Sequence, residues 1–148
     1  KISVRNPEHT RPWQFVLEPL AGILWLAVKM IEESKFSEAW NFGPASDSEQ
    51  FTVKMMLKAI STEWGLNESI MEENINNELH EDKFLNIDSS KAEKLLGLKS
   101  VYNLQEAITE TASWYKHFTE QENEIKNFSI EQIKNYTDHA KQLNLSWT

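Results

Sequence analysis

Apolar residues recur at helical spacing along four stretches of this chain and gather without period in several short ones. In residues 17–31, Leu17, Leu20, Leu24, Ala27 and Ile31 trace one stripe, yet Ala21, Trp25 and Val28 are apolar too. A helix with so little polar surface is expected to be covered from both sides. Pro19 suits its first turn, and the pattern carries it to about residue 33. Two readings follow for the outer side: it belongs to the core of this domain, or it packs on a second domain.

A second helix is predicted over about residues 50–64, where Val53, Met56, Leu57, Ile60 and Trp64 share a face, Asp47 or Ser48 is placed to cap the start, and Gly65 suits the exit. Asp88 is placed to cap a two-turn helix that runs through Leu96 and stops at Gly97. Asn103 with Glu106, and Ser129 with Gln132, have the spacing of capping boxes and predict two further amphipathic helices joined by a charged linker, residues 120–127. In the first, Leu104, Ala107, Ile108, Thr111, Tyr115 and Phe118 share one face, and in the second Ile130, Ile133, Thr137 and Ala140 do so. Residues 2–5, 13–16, 39–42 and 84–87 read as short strands, with Gly43-Pro44 punctuating the third. Residues 66–83, acidic and rich in Asn, read as a long connection with room for one short strand, the kind of segment that carries function more often than scaffold. The predicted fold class is α/β, mainly helical with several short strands, in one domain over residues 1–148.

Composition narrows the function. With 148 residues, 40% of them hydrophobic, the chain can bury a core. Its net charge of −8 opposes nucleic acid and anionic membranes at long range, so phosphate recognition would fall to local arginines. With no cysteine there is neither a disulfide framework nor a thiolate metal site, which fits a cytoplasmic protein. The longest apolar run, residues 23–28, is far short of the roughly 20 residues of a membrane span. The chain opens at Lys1 directly into a strand-like Ile2-Ser3-Val4, so a fragment or processed chain is expected.

The candidate chemistry lies ahead of the apolar helix. Arg5-Asn6-Pro7 and Thr10-Arg11-Pro12-Trp13-Gln14 place two cations before it. Pro12 disfavours the α conformation at Arg11 and presents its guanidinium on extended backbone, a planar fork suited to diphosphate oxygens. Taken alone, Arg11 reads more readily as a structural ion-pair residue with Glu18 as partner. Arg5 could simply brace the turn at Asn6-Pro7. Trp13 could stack on a base or sugar, though a tryptophan in such a segment is more often core. His80-Glu81 lies in the long connection, without further residues spaced for a metal.

The order of Arg-Pro-Trp-Gln at residues 11–14, Asn-Phe-Gly-Pro at 41–44, His80-Glu81, and the run from Leu85 to Ala92 with Asp88, Ser90 and Lys91 resembles the substrate-binding half of CDP-glucose 4,6-dehydratases, which belong to the extended short-chain dehydrogenase/reductases. The resemblance implies a nucleotide-sugar ligand, CDP-glucose above all, with Arg11 on the diphosphate and Arg5, His80, Glu81 and Asn41 as further substrate-side residues. It also implies an NAD-binding Rossmann domain as partner. That domain is missing from the chain, which has no Gly-x-Gly-x-x-Gly turn and no Tyr-x-x-x-Lys pair. No cofactor is therefore expected on this chain, and no turnover by it alone. Phe15, Ile23 and Leu98 depart from the family pattern by replacing hydrogen-bonding or stacking side chains with apolar ones. The alternative is a non-catalytic helical module that uses the face of residues 17–31 for a protein partner. Left bare, that face also predicts homo-oligomers.

Overall fold

A computed structural model describes residues 2–45, 48–66, 71–73 and 82–148. It is mainly helical. A short parallel ladder pairs β1 (Ile2–Val4) with β2 (Met71–Glu73), and the helices are α1 (Leu17–Glu32), α2 (Val53–Trp64), α3 (Ser90–Leu96), α4 (Leu104–Glu120) and α5 (Ile125–Gln142). Single 3₁₀ turns, Ser34–Phe36 and Glu122–Glu124, follow α1 and precede α5.

Three predicted strands are not strands. Residues 13–16 turn into α1, with Trp13 N–H bonded to the Arg11 carbonyl only two residues back. Residues 39–42 find no ladder, and residues 84–87 contribute a single bridge, Phe84 to Thr10. Each segment is rich in aromatic or β-branched side chains, but a strand also requires an adjacent backbone in register. Here that place is taken by side chains, such as Gln14 donating to the Phe42 carbonyl at 3.2 Å.

Helix ends follow local chemistry, with three corrections. Thr52 caps α2 by accepting the Met55 N–H at 3.2 Å, later than Ser48 could, while Asp47 lies outside the described residues. Gly65 and Gly97 close α2 and α3 in the left-handed conformation, as their positions predict. Ser89, not Asp88, is the cap residue of α3; Asp88, one position earlier, accepts the Ser90 N–H at 2.9 Å, and the Ser90 hydroxyl and N–H hold its carboxyl below the usual range. The capping box of Asn103 and Glu106 opens α4 with both hydrogen bonds in place. The second box does not form. The helix α5 already begins at Ile125, so Ser129 sits a full turn inside it and accepts the Trp114 indole N–H at 2.9 Å, while Gln132 donates to the carbonyl and carboxylate of Glu110. These polar side chains turn toward α4. The buried face of α5 is consequently Gln132, Tyr136 and Ala140, and Ile130 and Ile133 are exposed.

Two core clusters lie on the inner side of α1. One joins Phe15, Val101, Ala107, Tyr136, Ala140 and Leu145, with rings at 5.5 Å (Phe15 to Tyr102) and 5.4 Å (Tyr102 to Tyr136). The other gathers Phe36, Ala92 and Leu96 beneath Trp25, Trp40 and Phe42. Gly22 permits the second: a Cβ there would meet the Phe42 ring at 2.7 Å. The outer side of α1 is bare. Leu20, Ile23, Leu24, Val28 and Ile31 are all exposed, Ile31 at 87%. Of the two readings of this helix, burial on both sides by this chain alone is therefore incorrect for the described residues.

Candidate functional site

Thr10 fixes the approach to the site. It is buried, bridges Thr52 on one side and Phe84 on the other, and donates its N–H to the Lys83 carbonyl at 2.9 Å. Arg11 follows, half-buried, and its guanidinium Nη1 donates to the carbonyls of Thr10 at 2.7 Å and Asp82 at 3.4 Å. These bonds orient the guanidinium. Arg5 is exposed just after β1. Asn41 is exposed and donates its amide to the Asp88 carbonyl at 3.3 Å. His80 and Glu81 lie outside the described residues.

The concave surface lies beside this motif. Two adjoining cavities, of about 480 and 410 Å³, share Gln14, Glu18, Ala45 and Ser100 in their walls. Phe42, Gly43, Lys99, Tyr136 and Trp147 extend the first; Trp13, Phe51, Tyr102 and Asn103 extend the second. The Arg-Pro-Trp-Gln segment thus lends Trp13 and Gln14 to the cleft, whereas Arg5, Arg11 and Asn41 are not among its lining residues. Asn41 is next to it in sequence, through Phe42 and Gly43. The Trp13 indole N–H is already used on the Phe51 carbonyl at 3.0 Å, which fixes the ring in the wall.

Glu18 is the group that sequence reading placed wrongly. Its Oε1 accepts the N–H groups of Val101 and Tyr102, each at 3.0 Å, and its Oε2 accepts the Tyr136 hydroxyl at 2.9 Å. Burial raises the pKa of this carboxyl, and the three hydrogen bonds oppose the rise without cancelling it. Burial, with the adjacent Glu18 charge, pushes the Tyr136 phenol well above its usual range, so it remains a donor at neutral pH. One carboxylate therefore ties the first turn of α1 to the start of α4 and the middle of α5, directly behind the cleft. The available signal was an acidic residue in the first turn of an otherwise apolar helix.

The glycines test whether this chain could cradle a dinucleotide. Gly22 packs on Phe42 and Leu98, Gly43 on Ile87, and Gly65 and Gly97 end helices. None opens a helix after a strand, so these residues do not fit the pyrophosphate turn of an NAD site. Among the described residues no group of three His, Cys, Asp or Glu side chains is arranged to hold a metal ion. No described helix is long and apolar enough to cross a membrane.

Comparison with known proteins gives the same direction as the motifs. No protein-family profile matches the chain. A CDP-glucose 4,6-dehydratase of Salmonella typhimurium is 38% identical over 117 residues, 78% of this chain. The resemblance holds. The matched region makes up 32% of that enzyme, so the chain spans about a third of the length of the relative it matches.

Proposed function

We propose that this chain is the nucleotide-sugar-binding part of a CDP-glucose 4,6-dehydratase-like enzyme, with its redox part supplied by polypeptide outside these 148 residues. The observation that carries the reading is the position of Gln14: the motif that marks the resemblance also lines both cavities of the cleft. The cleft offers aromatic walls (Phe42, Trp13, Trp147), polar groups (Gln14, Ser100), three carboxylates (Glu18, Glu49, Glu93) and the cation Lys99, a mixture suited to a base and a sugar, with Lys99 the group suited to an anionic link. In this reading Arg11 is the diphosphate clamp at the margin, supported by Arg5, and Asn41, His80 and Glu81 belong to the sugar side.

Binding and orientation are the work assigned to this chain. Its residues do not fit NAD, so no redox step is assigned to them. Thermal shift and calorimetry with CDP, CDP-glucose and UDP test the proposal. Saturable stabilisation by the cytidine ligands is expected, and Lys99→Ala or Gln14→Ala should weaken it. Indifference of the folded chain to every nucleotide would remove the proposal and favour the non-catalytic interaction module, which the bare outer side of α1 otherwise supports.

A further inference from the structure

Residues 97–103 join α3 to α4 without helix or strand, yet they supply much of the cleft. Lys99 and Ser100 line its first cavity, and Ser100, Tyr102 and Asn103 its second. The two ends of the segment are tied locally: the Leu98 N–H reaches the Ala92 carbonyl at 3.4 Å, and the Asn103 N–H reaches the Glu106 carboxylate at 2.8 Å. Its middle is tied to α1. Val101 and Tyr102 both donate their N–H groups to Glu18, which stands 83 residues before Val101 in sequence. A connection with neither ladder nor helical hydrogen bonds keeps one conformation only where bonds of this kind hold it.

The acceptor sites of Glu18 are taken up by the protein. An ionised carboxylate offers about four of them. Oε1 takes the Val101 and Tyr102 N–H groups at 3.0 Å, while Oε2 takes the Tyr136 hydroxyl at 2.9 Å and shares the Val101 N–H at 3.2 Å. The three donors also offset a negative charge that would otherwise repel an anionic ligand in the same cleft. Glu18 thus stands in the walls of both cavities with its oxygens turned to the protein.

We infer that Glu18 is a positioning residue of the cleft: it fixes residues 99–102 so that Lys99 stands where it meets the anionic link of a nucleotide ligand. The inference rests on the nucleotide-sugar reading and adds to it the group that places the cation. Lys99 is exposed on a flexible four-carbon stem, so its ammonium serves a phosphate well only if the backbone beneath it is fixed. Without the two anchoring bonds, Lys99 and Ser100 shift together and the phosphate contact weakens. The walls made by Trp13, Gln14 and Phe42 stand on other segments and remain.

Calorimetry with CDP, and with cytidine, which lacks the phosphates, tests this on Glu18→Ala, Glu18→Gln, Lys99→Ala and the Glu18→Ala, Lys99→Ala double variant. Glu18→Ala is expected to weaken CDP binding roughly 10-fold and cytidine binding less than about 2-fold. Glu18→Gln keeps an acceptor for both N–H groups and should restore CDP affinity. Once Lys99 is alanine, Glu18→Ala should cost little more, because both changes act on one contact. Amide exchange at Val101 and Tyr102, read without ligand, should quicken in Glu18→Ala and not in Glu18→Gln. Should alanine prevent folding, Glu18→Asp, whose carboxylate stops one methylene short of the segment, must still weaken CDP more than cytidine. Equal weakening of both ligands, losses that add in full with Lys99→Ala, or unchanged exchange at Val101 and Tyr102 overturns the inference and leaves Glu18 a residue of stability alone. A parent chain that binds neither ligand removes the nucleotide-sugar reading and this inference with it. A parent that binds CDP, beside a Glu18→Ala variant that binds it equally well, removes this inference only.

Discussion

The Tyr136 hydroxyl donates to Glu18 Oε2 at 2.9 Å, joining side chains 118 residues apart in sequence. The same carboxylate receives two backbone N–H groups at the start of α4, so its removal would leave buried donors without an acceptor. Tyr136→Phe deletes only the hydroxyl, and it should cost about 1–3 kcal/mol in chemical denaturation, as befits a hydrogen bond to a charged group.

The protonation of Glu18 gives a pH prediction. Its folded-state pKa is raised, chiefly by burial, so its contribution to stability is present below the ordinary carboxylate pKa and is lost as pH rises through the raised value. Glu18→Gln keeps an acceptor for Val101 and Tyr102 but removes the titration. Melting temperature followed between about pH 4 and 8 should therefore fall less steeply for Glu18→Gln than for the parent. Identical slopes would show that Glu18 does not contribute to the pH dependence.

Gly22→Ala sets two effects against each other. Alanine is better than glycine inside a helix by about 1 kcal/mol. The new Cβ would nonetheless lie 2.7 Å from the Phe42 ring and 3.3 Å from Leu98, and overpacking of this kind costs about 1–3 kcal/mol. A net loss of stability is expected, and equilibrium denaturation would reveal a gain if Phe42 moves aside freely.

Arg11→Ala, made in a protein that binds CDP-glucose, should weaken binding roughly 10- to 150-fold if the guanidinium clamps the diphosphate. Arg11→Lys should restore part of that, since one ammonium cannot reproduce the fork. The structure supplies the competing outcome: Arg11 braces Thr10 and Asp82. An alanine variant that binds like the parent but melts several degrees lower would assign it to that bracing alone.

Asn103→Ala removes the capping box of α4 and should cost about 0.5–2 kcal/mol, measured by denaturation. Ser129→Ala, at the box that does not form, should instead act through loss of the Trp114 contact, visible as altered tryptophan fluorescence with the α5 boundary unchanged.

That contrast between Asn103 and Ser129 marks the limit of what was legible. A polar residue three positions before Glu or Gln is a local signal, and it is right where nothing else competes for the side chains, as at Asn103 and Glu106. At Ser129 and Gln132 a neighbouring helix competes, and Trp114 and Glu110 win. The exposed Ile130 and Ile133 were misread for the same reason, because periodicity does not report which side of a helix meets its neighbour. Glycine exits and the nearly uniform apolarity of α1 were legible because both are properties of the local chain. Glu18 was not, since its partners come from residues 101, 102 and 136.

The aromatic cluster of Phe15, Tyr102 and Tyr136 has a consequence for synthesis. Its first and last rings, Phe15 and Tyr136, stand just over 120 residues apart, so the cluster cannot be completed before Tyr136 has emerged. At about 5–20 residues per second, that leaves α1 for many seconds as an uncovered apolar segment on the ribosome. The growing chain is thus expected to be a chaperone client during that interval, and destabilising changes near Tyr136 should appear first as lost yield of soluble protein.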